Sequence, residues 1–217
     1  MTHKHKMHEW TEERSKRFIK SVENKIEKRY APFAKEIYNF MIQFHINENS
    51  RILDIGCGPG FLLFELQNLA PDIEIVGVDS SELMIETASK KAKEKKIRKF
   101  EFKKGYAENL PIVDNSFGVI TCFNSLHDFK DMQRPIEESF RVLRKTGILV
   151  LQDRSGTYPK WKFISVVFRI GLRNAWRYFK TRYSWLDPKV VEKWMIEAGF
   201  QILILKKKEH YIIVGKK

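Results

Sequence analysis

The chain has 217 residues, 43% hydrophobic and 31% charged. That is enough apolar surface for one sizeable core, but its longest apolar runs, such as 202–205, fall far short of the ~20 residues a membrane-spanning helix needs. Two cysteines, Cys57 and Cys122, are too few for a disulfide framework, and the N-terminal MTHKHKMHEW has no apolar stretch behind its basic residues, so a reducing cytoplasm fits better than secretion. The net charge of +13 suits nucleic acid, an anionic membrane surface or acidic substrates, or only a lysine-rich solvated surface.

His3, His5 and His8 carry metal-ligating nitrogens but read as a solvated terminus, so no metal site is expected. Residues 9–46 read as two helices. Phe18, Ile19, Val22 and Ile26 recur at helical spacing, and Pro32 opens a second helix with Phe33, Ile37, Phe40, Met41 and Phe44 on one face. From Arg51 short apolar runs alternate with amphipathic stretches. ILDIG (52–56) precedes a helix over 61–69, and EIVGVD (74–79) precedes one that Ser81 caps and that runs to about residue 96. FEFKKG (100–105) and VITCFN (119–124) read as strands, followed by a helix over 136–143 and the strand ILVLQ (148–152). Asp187 and Pro188 start a helix that Gly199 stops, and QILIL (201–205) and HYIIVG (210–215) then read as an antiparallel pair.

This pattern predicts an α/β fold: a doubly wound, Rossmann-like, mostly parallel sheet with an antiparallel C-terminal hairpin. One domain is expected, with an N-terminal helical cap (1–48), a core (49–153), an inserted lid (154–186) and a terminal helix and hairpin (187–217).

The run LDIGCGPG (53–60) ends the first strand and opens a helix, where doubly wound sheets bind ligands. Loops that bind pyrophosphate use backbone N–H groups and a helix N-terminus to attract an anion, and a carboxylate at Asp54 would oppose one. The spacing is GxGxG rather than GxGxxG, which disfavours a nicotinamide dehydrogenase. Asp79 ends the second strand, where a carboxylate accepts hydrogen bonds from two ribose hydroxyls and repels a 2′-phosphate. The site asks for a nucleoside with free hydroxyls and a cationic tail, a description that S-adenosylmethionine meets.

At these residues the sequence resembles the class I S-adenosylmethionine-dependent methyltransferases, most of all the branch with small-molecule and quinone-biosynthesis enzymes. LDIGCGPG, VGVDSSELM, AENLPIVDNSF and RVLRKTGILVL carry the resemblance together, in that order. It implies that Asp54 and Gly56 face the methionyl end, that Gly58 lets the backbone approach, and that Cys57 between them belongs to the cofactor-binding loop. Asp79, with Ser80 beside it, would hold the ribose, and Met84 would pack on the adenine. The Ala107 backbone would meet the adenine edge, and Asn124 would lie beside the cofactor. Tyr106 stands where the family has an acid, a role that Glu108 is then expected to take. Gly118 stands where it has Asp, a change expected to affect structure.

Methyl transfer from a sulfonium is an in-line displacement in which the protein supplies orientation, and a base is needed only if the acceptor loses a proton. His127 in NSLHDF is the one candidate base, with Asp128 as its orienting partner; the other reading is a histidine that packs on the pocket or caps a turn. The expected function is methyl transfer to a small acceptor, lipophilic on one reading. A non-catalytic S-adenosylmethionine-binding protein and an RNA methyltransferase are the alternatives.

The insertion selects among acceptors. It has no acidic residue, and Lys162, Arg169, Arg173, Arg177 and Lys180 form one helical stripe among aromatics that include Trp161, Trp176, Tyr178, Tyr183 and Trp185. Gly171 divides it. A solvated lid, a lid resting on an anionic membrane surface through 160–182 and an RNA-binding surface are its three readings.

Overall fold

Alternate residues of a strand face opposite sides of a sheet, so each central strand here divides its apolar side chains between two cores. In the computed structural model, which describes residues 10–23, 26–47, 50–157, 168, 171, 186–207 and 210–217, Ile52 and Ile75 enter one core while Leu53, Ile55, Val76 and Val78 enter the other. The strands are β1 (Arg51–Ile55), β2 (Glu74–Asp79), β3 (Phe100–Lys104), β4 (Phe117–Phe123), β5 (Leu143–Arg154), β6 (Gln201–Lys207) and β7 (His210–Lys216). They form one sheet in the order β3-β2-β1-β4-β5-β7-β6. The first five pair in parallel, and β7 runs antiparallel to both β5 and β6. This is the doubly wound arrangement with a terminal hairpin that the sequence pattern implies.

On one face lie α3 (Ala31–Gln43), α4 (Phe61–Leu69) and α5 (Glu82–Glu94), and on the other α6 (Arg134–Val142) and α7 (Pro188–Glu197). The caps read from the sequence form: Ser81 Oγ accepts the Met84 N–H at 3.4 Å, and Asp187 Oδ1 accepts that of Lys189 at 2.9 Å. The chain turns from β1 to β2 and β3 on one side, then returns to β4 on the other. The crevice between the carboxyl ends of β1 and β4 is thus the topological switch point.

The N-terminal cap departs from expectation. Its described residues form three helices, α1 (Glu12–Glu23), the four-residue α2 (Ile26–Arg29) and α3, where two were expected. Pro32 has no N–H to give and its ring bars a helix from running through it, so α2 stops short and the proline takes up the first turn of α3. His3, His5 and His8 and most of the 154–186 insertion lie outside the described residues. Within the latter, Gly171 has φ +81, a backbone conformation through which a helix does not continue.

Gly118 stands at a register break between β4 and β5, at the strand's amino end. A Cβ there would lie 2.8 Å from Ser50 Oγ and 2.9 Å from Ser50 Cβ. Glycine is therefore a packing requirement at the edge opposite the switch point. Gly118→Ala is expected to cost about 1–3 kcal/mol in chemical denaturation. Adding Ser50→Gly removes the clash, so the double variant should cost less than the two single costs summed.

Candidate active site

β1 runs out at Ile55, and the chain leaves it through glycines with left-handed backbone, Gly56 (φ +71) and Gly60 (φ +80) among them. The N–H groups of Gly56 and Cys57 both donate to Val78 O, at 2.8 and 3.1 Å, which ties the loop to the end of β2. A Cβ on Gly56 would stand 2.6 Å from that of Ser125, whose hydroxyl donates to Gly56 O at 3.0 Å. The loop is thus clamped between β2 and the segment after β4. The Cys57 thiol turns toward Gly77 in the core, and the loop presents only main chain at this position.

Asp79 spans the loop and the next helix. Its Oδ2 accepts the Gly58 N–H and its Oδ1 the Ser81 N–H, both at 2.9 Å. A carboxylate has about four acceptor sites, so both oxygens keep lone pairs for hydroxyl donors. Ser80 beside it is exposed. Asp54 is 2% exposed and flanked in register by Gly77 and Thr121, whose Oγ1 donates to it at 2.7 Å. Burial drives its pKa up to about 7; the Thr121 hydrogen bond opposes this and the Asp79 charge adds to it. Burial raises Asp79 as well, against its backbone N–H donors. Two carboxylates that resist ionisation at one sheet edge make an environment that a cation relieves.

Met84 is buried in the first turn of α5, and Ala107 is buried after β3. Tyr106 turns outward, 66% exposed. Glu108, expected in place of the family's acid, uses its Oε1 to accept the N–H groups of Lys130 and Asp131 at 2.9 and 3.3 Å and so pins a neighbouring loop. At the end of β4, Asn124 holds φ 52 and donates its N–H to Gln152 O at 2.8 Å. Its Oδ1 is buried without a hydrogen-bond partner among the described residues.

His127 sits in the 3-10 turn Leu126–Asp128. Asp128 does not orient it, contrary to expectation: its carboxylate lies 3.9 Å from Nε2 and pairs with Arg14 at 3.3 Å. The partner is Asp153, 1% exposed, whose Oδ1 is 2.7 Å from His127 Nδ1 while Oδ2 accepts the His127 N–H at 3.1 Å. Burial lowers the imidazole pKa, but the Asp153 charge and hydrogen bond outweigh it, and the net shift is upward. Adjacent residues of a tight turn point apart, whereas the parallel neighbour of β4 ends beside it. Asp153 stands at a strand end, as Asp54 and Asp79 do, and that placement was the signal available for it in the sequence.

The N-terminal cap closes over this edge. Ser15 Oγ lies 3.0 Å from Ser81 Oγ, and the Phe18 ring comes within 3.9 Å of a Cβ placed on Gly58. Sequence reasoning placed neither α1 nor Thr121 at the site.

Comparisons with known proteins agree with this layout. Residues 46–193 match a family model described as a methyltransferase domain. The demethylmenaquinone methyltransferase of Thermotoga maritima is 32% identical over 167 residues, which is 70% of each chain. A Bacillus subtilis protein named uncharacterized methyltransferase YcgJ is 39% identical over 103 residues; the match spans 48% of this chain but only 40% of that relative. The crystal structure of a SAM-dependent methyltransferase from Aquifex aeolicus has a TM-score of 0.65 at 18% identity, covering 82% of this chain and 87% of that one, a likeness of fold.

The raised pKa of Asp54 has a definite sign. The folded state keeps a proton that the unfolded chain loses near pH 4, so the contribution of Asp54 to stability falls as pH rises from about 4 to about 7. A cationic ligand needs the ionised form. S-adenosylmethionine affinity is therefore expected to drop toward tenfold per pH unit below about 7. Calorimetric titration between pH 5.5 and 7.5 measures this, and Asp54→Asn should flatten the dependence.

Proposed function

Because this chain belongs to the methyltransferase domain family and takes S-adenosylmethionine as its cofactor, we propose that it methylates a small lipophilic acceptor whose aromatic ring bears an ionisable hydroxyl, a quinol-like compound. The name of the Thermotoga relative supports the acceptor class. The observation that carries the reading is the His127–Asp153 pair, since an imidazole oriented through Nδ1 has Nε2 available as a proton acceptor.

The residues present suit the cofactor. Asp54 is a buried anion suited to the ammonium, Asp79 has acceptor capacity for the ribose hydroxyls, and Met84 and Ala107 are apolar surface for the adenine. The buried Oδ1 of Asn124, without a partner among the described residues, asks for a donor. S-adenosylmethionine supplies a methyl group already activated on sulfonium. The protein then has to align the acceptor, exclude water and take up its proton. Tyr30, Phe33 and Phe123 pack as a buried aromatic cluster at the end of β4, with Phe33 and Phe123 stacked at 4.8 Å, and apolar aromatic surroundings of this kind favour a flat apolar ring. His127 accepts the hydroxyl proton, and the Asp153 carboxylate stabilises the imidazolium that results.

No helix among the described residues is long and apolar enough to cross a membrane. A lipophilic acceptor suits contact between the basic stripe of 160–182 and an anionic membrane surface, a proposal that rests on sequence alone. Reversing Arg169, Arg173 and Arg177 to Glu should abolish co-sedimentation with anionic vesicles at low salt. Wild-type protein that binds RNA but no vesicles would replace the membrane with nucleic acid.

The dyad has its own test. In an assay of radioactive methyl transfer to hydroxyaromatic and quinol acceptors, His127→Ala is expected to lower turnover by about 10²–10⁴, with little change in cofactor affinity. Turnover should rise with pH through the raised pKa of His127. Asp153→Asn should move that limb to lower pH and lower the plateau. Equal turnover in His127→Ala and wild type would remove the dyad from the mechanism.

A further inference from the structure

His127 stands between two carboxylates. Asp153, at the end of β5, lies 2.7 Å from Nδ1, and Oδ2 of Asp128, in the same turn as the histidine, lies 3.9 Å from Nε2. The first orients the ring. The second stands beside the nitrogen that has to stay open. An anion there attracts the N–H of an imidazolium and so retains the proton. A small side-chain rotation would also shorten 3.9 Å to a charge-assisted hydrogen bond that occupies Nε2.

A cation from the other end of the chain engages that carboxylate. Arg14 of α1 donates through Nη2 to Asp128 Oδ1 at 3.3 Å and to Oδ2, the oxygen nearest Nε2, at 3.5 Å. The arginine is itself held in place. Its guanidinium carbon lies 4.0 Å from the centre of the Trp10 ring, and its backbone N–H donates to Thr11 Oγ1 at 3.3 Å. Trp10 in turn packs edge-on against Phe18 at 5.3 Å. The Arg14 and Asp128 side chains are 30% and 21% exposed, which shields their charges in part from screening by salt. The remaining charge acting on the ring is that of Arg154. Burial lowers the His127 pKa, Asp153 and then Asp128 raise it, and Arg154 lowers it. Asp79 also feels Asp128, after the larger effects of burial and of its own N–H donors.

We propose that Arg14 is a positioning residue for the base: by binding the Asp128 carboxylate it keeps Nε2 of His127 open to the acceptor hydroxyl. The inference rests on His127 as the proton acceptor and adds the group that keeps it available. In the transfer, the hydroxyl O–H bond breaks and its proton forms the Nε2–H bond. The acceptor oxygen takes the methyl group from sulfur, and the proton passes to water after product leaves. An Asp128 released from Arg14 would retain that proton and leave the base charged for the next turnover.

The test titrates the His127 imidazole by NMR in protein carrying 15N-labelled histidine, its signal assigned by its loss in His127→Ala. Methyl transfer to a quinol acceptor is measured over the same pH range. Arg14→Gln is expected to raise the His127 pKa by about one pH unit, which lowers turnover about tenfold at a pH below the rising limb. Arg14→Lys keeps the charge and should fall between. Arg14→Gln combined with Asp128→Asn removes the carboxylate as well, and should bring pKa and turnover back to wild type or beyond. Lost packing is not repaired in that way, so a double variant as slow as Arg14→Gln overturns the inference. An Arg14→Gln protein whose imidazole titrates as in wild type overturns it too. Asp128→Asn alone leaves α1 untouched and should lower the His127 pKa; no change there has the same consequence. If His127→Ala turns over like wild type, the base reading fails and the inference with it. If His127→Ala is inactive while Arg14→Gln is unchanged, the inference alone fails.

Discussion

Two carboxylates, the buried Asp54 and the half-buried Asp79, stand at one edge of the sheet, and much else in the molecule is arranged around them. Burying an anion is costly unless hydrogen bonds or a counter-charge offset it. Asp79 has two backbone N–H donors and Asp54 has the Thr121 hydroxyl, yet both carboxyls titrate above their ordinary range. The protein sacrifices stability here to hold a negative field where a cationic ligand belongs.

The same constraint explains why the glycine loop is so tightly bound by its neighbours. Gly58 is held by Asp79, Gly56 by Val78 O and Ser125, and the loop's exit by Gly60 in a left-handed conformation. A loop this restrained keeps backbone and carboxylates in register before a ligand arrives, which reduces the ordering that binding must bring about. Loop, strand ends and the first turn of α5 form one rigid floor.

The ceiling is the N-terminal cap. Ser15 meets Ser81, Arg14 meets Asp128, and Lys91 on α5 pairs with Glu23 at 2.5 Å. These polar contacts tie α1 to α5, its N-cap and the turn after β4; the two ion pairs among them are partly exposed, and exposed pairs of this kind are weak. These contacts add to an apolar attachment, since Val22, Phe33, Ile37, Phe40 and Met41 of the cap are buried in the core against the sheet. The cap also puts Tyr30 and Phe33 against Phe123, so helices remote in sequence pack on the carboxyl end of β4.

The sequence by itself determined the order of strands and helices from Arg51 onward outside the insertion, the caps at Ser81 and Asp187, the glycine loop and the carboxylates Asp54 and Asp79. Periodicity, turn chemistry and strand-end position are local properties, legible in a few consecutive residues. What depends on neighbours in space was not legible. Asp128 stands next to His127 in the chain, but β5 brings Asp153 to it, because pairing with β4 aligns the two strand ends. Glu108 lies two residues from the family's acidic position at Tyr106, and one of its oxygens bonds to the loop at 130–131. Nothing local in the sequence sets Arg29 apart, and only the packing of α1, α2 and β4 brings three rings within 6 Å of its guanidinium carbon, at 5.8, 5.6 and 5.9 Å. Local chemistry decides which residue types stand where the strands end. Which charges meet there is decided by sheet order and by the cap that folds over it, since electrostatic partners are chosen by distance in space and not along the chain.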